Sequence, residues 1–218
     1  QKIKPKKKIK TIFNKYYLFE KYSYNHLHKE SDLFFKWYLP LILEKKKIAS
    51  IKKKIKKNLS NLYKNLNYQD TCFVHRDYHV QNLIKIRNKI GVIDSQDALI
   101  GNPAYDLASL IDDVRIKNSA KLKNKIYNYY INKIYLPHSE NALLFLKDFN
   151  ILSVQRILKI IGIFSRLYTR DKKIKYLKFI PYAWKLLEMR IKSEKFSDLK
   201  NVLDKNISKK IRKQVFYK

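Results

Sequence analysis

Between residues 45 and 66, apolar positions recur at helical spacing inside a lysine-rich tract. Ile48, Ile51, Ile55, Leu59, Leu62 and Leu66 step by 3, 4, 4, 3 and 4. That is one stripe of an amphipathic helix with lysines on its wet faces. Two uses fit such a helix: docking on a core, or facing a nucleic acid or lipid. Upstream, LFFKWYLPLIL (Leu33 to Leu43) is dense in apolar side chains and interrupted by Pro40. The run predicts one short helix ending before Pro40 and a second beginning near it. Residues 1–29 are basic and aromatic with no clean period.

The character changes after residue 70. CFV (Cys72 to Val74) is a short apolar run, and a polar loop follows from His75 to Asn82. Two β-prone runs, Leu83 to Ile86 and Ile90 to Ile93, flank Arg87-Asn88-Lys89. Asn tolerates the left-handed conformation of a tight turn, so a β-hairpin is expected there, with Asp94 just after its second strand. Gly101-Asn102-Pro103 marks a turn into a helix over Ala104 to Val114, with Asn102 able to cap and Pro103 able to take the first helical position. The remainder reads as helices: 121–134, 141–149, 151–168 as the buried central one, 181–189, and a lysine-rich helix at the end.

The 218 residues are 45 % hydrophobic, enough to bury one sizeable domain or two small lobes sharing a core. The formal charge of +31 favours anionic partners, but it comes from 41 Lys against 8 Arg. With Ile, Asn, Tyr and Phe also abundant, drift toward AT-rich coding accounts for the lysines without a polyanion. The low Arg content and even spread of Lys argue against a nucleic-acid partner. One cysteine, Cys72, excludes an internal disulfide and a cysteine-based zinc site. The apolar stretch 151–168 carries Gln155, Arg156, Lys159 and Arg166, which excludes an ordinary membrane span. No signal-peptide pattern opens the chain, so a soluble, cytoplasmic protein is expected. It begins with Gln, as the remainder of a longer protein would. With only Gly91, Gly101 and Gly162, no glycine-rich phosphate loop can form.

Against this basic background the acids are concentrated. Seven of 18 fall between Asp70 and Asp113, and all seven are Asp. Carboxylates and an amide converging at strand ends suit a hard divalent cation such as magnesium (Mg2+). His75-Arg76-Asp77-Tyr78-His79-Val80-Gln81-Asn82 sets an Asp and an Asn five apart in one loop, and Asp94 follows a hairpin later. Phosphoryl transfer needs such a set: one Asp to accept the proton of an acceptor hydroxyl, and an Asn and an Asp to hold magnesium on nucleotide phosphates.

The loop HRDYHVQN, followed by GVIDSQDALIGNPAYDLASLIDDVR, resembles the aminoglycoside phosphotransferase and choline kinase superfamily. FFKWYLP (Phe34 to Pro40), GVIDSQDA, and QRILKIIGIFSRLYTRDKK (Gln155 to Lys173) running into YLKFIPYAW further resemble its anomeric N-acetylmuramate/N-acetylglucosamine kinases. The likeness covers roughly residues 30 to 190. It implies an α+β, protein-kinase-like fold whose large lobe is mainly helical, with a short β-hairpin at the catalytic loop. It also implies ATP and Mg2+ as cofactors and a small-molecule acceptor, an amino sugar. Carried over by position, Asp77 is the catalytic base, and Asn82 and Asp94 are the metal ligands. His75 and Arg76 shape the loop, and Asp106 braces it. Tyr78, His79, Asp97, Glu30 and Asp32 are possible substrate contacts, although loop packing and helix-terminal acids explain them as well. Trp37 and Trp184 are core or pocket-wall aromatics.

Two departures stand out. Ser95 follows the metal-site Asp where these sugar kinases commonly have Phe. Nothing before residue 30 resembles the β-rich small lobe with its phosphate-covering loop and its Lys–Glu pair. Residues 1–29 therefore read as a hinge remnant and 30–218 as a large lobe whose small lobe is missing or vestigial. Such a piece is expected to transfer phosphate poorly alone. Two further readings stay open: a kinase-derived binding lobe without turnover, and a basic nucleic-acid-binding domain.

Overall fold

The computed structural model describes residues 8–68 and 71–215. Asp70, one of the seven clustered acids, lies outside them. The described chain is a helix-rich α+β fold with three small antiparallel sheets. It divides into two compact units, which are taken in turn.

The first unit comprises the described residues of Gln1–Ser23, Leu66–Asp113 and Asn118–Leu152. It opens with a hairpin, β1 (Lys8–Lys10) and β2 (Tyr16–Leu18). β3 (Cys72–Val74) pairs with β6 (Leu99–Gly101). Between them, β4 (Leu83–Ile86) and β5 (Lys89–Val92) form the expected hairpin, with Leu83 opposite Val92 and Ile86 opposite Lys89. The left-handed residue of its turn is Arg87, at φ 52°, rather than Asn88. Gly101 owes its place to space, because a Cβ there would stand 2.8 Å from the Tyr22 Cβ. Asn102 accepts the Ala104 N–H at 3.0 Å and so starts α4 (Ala104–Ile111), which is shorter than the expected run to Val114. α5 (Ala120–Ile134) follows, started by the hydroxyl of Ser119.

The second unit comprises Tyr24–Asn65, Val114–Lys117 and the described residues of Ser153–Lys218. Its first helix, α1 (Tyr24–Leu33), does not stop before Pro40. A π-helical turn over Phe34–Tyr38 joins it to α2 (Leu39–Ile42), with the Leu39 N–H donating to the Phe34 carbonyl five residues back. Pro40 lies in the first turn of α2, where a missing N–H is tolerated. Next comes α3 (Lys45–Lys64), the amphipathic helix read from the stripe. Ile51, Ile55, Leu59 and Leu62 are buried, and Tyr63 joins them. Ile48 is half-buried, and Leu66 lies beyond the helix end. α3 packs against α1, α2 and α8 (Ser197–Asn206), which settles the docked reading of its apolar face.

The helices expected at 141–149 and 151–168 are one, α6 (Glu140–Thr169). No Gly or Pro interrupts the join, and Phe149 and Ile151 are both buried, so nothing breaks the hydrogen-bond ladder. Within the second unit its residues 153–165 are buried almost throughout. α7 (Ile180–Arg190) carries Trp184, whose indole N–H donates to the Tyr38 hydroxyl at 2.8 Å. Trp184 is thus a core residue, and Trp37 is half-buried. The lysine-rich end is two helices, α8 and α9 (Lys209–Lys213), because the Ser208 hydroxyl caps a fresh start.

Gly162 marks where α6 meets the end of α1. A Cβ there would collide with the backbone of Leu33 and Phe34, which cannot yield as a flexible side chain can. Gly162→Val is expected to destabilise the protein by about 3 kcal/mol. Chemical denaturation should register this as a lower midpoint; an unchanged midpoint would show that the two helices separate freely.

Candidate functional site

The polar loop after β3 lies in the first unit and is tied at both ends. Asp106, buried on α4, accepts the backbone N–H of His75 at 2.8 Å and of Arg76 at 3.0 Å, one on each carboxylate oxygen. Two charge-assisted bonds to consecutive amides fix the direction of the chain there. Arg76 takes a left-handed backbone, φ 73°, between the brace and Asp77. A non-glycine residue holds such a conformation only when its surroundings impose it. Its guanidinium donates to the Asp97 carbonyl at 3.0 Å and stands 5.6 Å over the Tyr22 ring.

Beyond Asp77 the loop closes on itself. The Asp77 carbonyl accepts the His79 N–H at 2.9 Å and the Asn82 side-chain N–H at 3.0 Å. A single 3₁₀ turn over Val80–Asn82 carries the chain into β4. The five-residue spacing therefore has a local reason: the amide at 82 reaches back to pin the backbone at 77. With its nitrogen so engaged, the amide oxygen of Asn82 remains for an outside partner.

The hairpin brings Ile93, the residue before Asp94, back beside Asn82. Its last ladder pair is Leu83 with Val92, and one step further the Ile93 N–H donates to the Asn82 carbonyl at 3.1 Å. The His75 imidazole Nε2 lies 2.9 Å from the Ile93 carbonyl, which fixes that nitrogen as the donor. Ile93 is thus held from both sides, and Asp94 follows in a left-handed conformation, φ 69°. Its exposed carboxylate accepts from Gln96 at 2.8 Å. Asp77 and Asn82 are half-buried. Asn82 and Asp94 supply oxygen donors of the kind a hard divalent cation takes, so their chemistry fits magnesium. No convergence of three or more His, Cys, Asp or Glu side chains suited to a metal occurs among the described residues.

The remaining predicted residues fall in two places. Tyr78, His79 and Asp97 belong to the first unit: Tyr78 is half-buried, His79 buried, and Asp97 exposed. Burial, and secondarily the Asp106 charge, pushes the Tyr78 hydroxyl above the usual phenol range. The same two causes push the buried Cys72 thiol up to about 12, so it stays protonated. Glu30 and Asp32 belong to the second unit. Glu30 is buried and accepts from Gln155 and Lys159, each at 2.9 Å, while Asp32 pairs with Lys56 at 2.7 Å.

The sequence reading missed Asp148. Buried on α6, it accepts the N–H groups of Asn67 and Tyr68 and the side-chain amides of Asn67 and Asn102, all between 2.6 and 3.0 Å. It thereby ties the segment before β3 to the turn before α4. Its signal was a single acid among apolar residues in FLKDFNIL. Asp106→Ala is expected to leave two loop amides without partners and to cost about 2 kcal/mol of stability. Hydrogen exchange should accelerate at His75 and Arg76; unaltered protection there would show that Asp106 is no brace.

Residues 24–141 match the family described as "Phosphotransferase enzyme family", and the chain belongs to it. It is similar to the N-acetylmuramate/N-acetylglucosamine kinases of Caulobacter vibrioides, at 34 % identity over 63 % of this chain and 38 % of the relative. It also resembles those of Neisseria meningitidis (35 %, covering 73 % and 49 %) and Pseudomonas aeruginosa (34 %, covering 76 % and 50 %). The chain thus spans about half the length, or less, of these relatives. Among the described residues, no helix is long and apolar enough to cross a membrane.

Proposed function

We propose that the intact protein moves the γ-phosphoryl group of ATP to a hydroxyl of an amino sugar. The observation that carries this reading is the run of hydrogen bonds from Asp77 through Asn82 to Ile93, which sets Asp77, Asn82 and Asp94 along one loop and strand end. Asp77 is the base that takes the proton of the acceptor hydroxyl. Asn82 and Asp94 would hold magnesium, which when bound neutralises charge on the transferring phosphate. Asp106 and His75 keep the loop in register, and positioning of this kind supplies most of the acceleration in phosphoryl transfer. The relatives' names support N-acetylmuramate or N-acetylglucosamine as the acceptor. Residues 1–29 are read as a basic stub or hinge remnant and 30–218 as the large lobe.

Acceptor-dependent release of ADP by the intact protein tests this. N-acetylmuramate, N-acetylglucosamine, an aminoglycoside and choline are each offered with ATP and magnesium. Turnover confined to the amino sugars is expected, with phosphate on the anomeric oxygen. Turnover of another acceptor alone would move the substrate class. Nucleotide binding without any turnover would leave a kinase-derived binding protein.

A further inference from the structure

A cavity of about 550 Å3 lies within the first unit, walled by β3, β5, α4 and α5. Phe73, Val92, Leu107, Leu110, Ile126 and Tyr130 form its apolar surface. We propose that this cavity binds an uncharged aromatic small molecule. Its volume falls in the range of small-molecule sites, and its lining has their character: mostly apolar and aromatic, with a few polar groups.

Electrostatics selects the neutral class. Asp106, whose carboxylate is held by the His75 and Arg76 amides, is among the lining residues, so an anion would sit near a like charge. At Tyr129, a lining residue two-thirds exposed, the Lys133 ammonium already stands 5.8 Å from the ring centre, which opposes a cation. The hydroxyls of Tyr78 and Tyr130 are held protonated, chiefly by burial, and remain neutral hydrogen-bonding groups. A planar ring can meet aromatic walls edge to face. An occupant would also rest against His75 and Asp106, the residues that hold the loop, although binding itself does not require the phosphotransferase reading.

The probe is 2-naphthol, titrated into the intact protein and followed by its own fluorescence. Saturable one-to-one binding is expected. Leu110→Trp, which fills the cavity, should weaken it at least about tenfold. Tyr129→Ala, at an exposed position that folding tolerates, should weaken it at least about threefold. Naphthalene-2-sulfonate, attracted to surface lysines, should bind both variants as it binds the parent. Unsaturable binding of 2-naphthol, or equal affinity in parent and both variants, would overturn the proposal. So would a dimer, seen by sedimentation, that Leu110→Trp dissociates: the cavity would then be covered by a second copy. If Leu110→Trp does not fold, Tyr129→Ala decides alone.

Discussion

Asp77→Asn in the intact protein is expected to lower kcat by about a thousandfold, equivalent to about 4 kcal/mol in the barrier, with nucleotide affinity nearly unchanged. The substitution keeps size and hydrogen-bonding shape but removes the group that can accept a proton. The circuit that holds the loop should survive, because it uses the backbone carbonyl of Asp77, which accepts from His79 and Asn82, and not its carboxylate. The expected signature is therefore a fall in kcat with KM for the acceptor little changed, an interaction lost only in the transition state. If turnover persists at the parent rate, Asp77 is not the base. If turnover and folding stability fall together, the side chain supports the loop and its role in proton transfer is unproven by this variant; kcat measured at a temperature well below the unfolding midpoint then separates the two.

What could be read in the sequence follows the strictness of the physics at each position. The α3 stripe was legible because a helix docked along one side needs apolar residues every three or four positions, and they recur so among the lysines. The loop and hairpin were legible because an Asp-rich polar loop followed by two short β-prone runs stands out against lysine-rich helical stretches. Helix ends were less so. Pro40 usually ends a helix, yet a π-helical turn before it shifts the ladder and lets the chain continue. The expected break near residue 150 rested on a single Asn between two apolar runs, too weak an interruption against burial on both sides. The left-handed conformation of Arg76 was invisible, since Arg does not favour it, and that of Asp94 was only weakly signalled, since Asp merely tolerates it. Contacts between residues apart in sequence hold these segments, Asp106 on the amides of His75 and Arg76, and Asn82 and His75 on Ile93, and no local pattern announces them. Asp148 was missed for the same reason: its partners lie about 46 to 81 residues away.

Asp94→Ala is expected to remove the magnesium-dependent part of nucleotide affinity, a loss of about tenfold or more at millimolar metal. The left-handed backbone at 94 sharpens the design of the test. Alanine at φ 69° is strained by about 1 kcal/mol relative to glycine, so some loss of order could follow from the backbone alone. Asp94→Asn separates these causes, because Asn tolerates the left-handed region and can still accept from Gln96, while lacking the charge that a divalent cation favours. If the carboxylate is a ligand, both variants lose the difference between affinities measured with magnesium and with a chelator. If only alanine is impaired, residue 94 is a structural turn and the cation is held elsewhere. Asn82→Asp provides the opposite check. It adds charge at the second proposed ligand but removes the N–H that pins the Asp77 carbonyl, so magnesium affinity should hold or rise while kcat falls. A fall in both would place Asn82 in loop support alone and leave Asp94 without its partner at the metal.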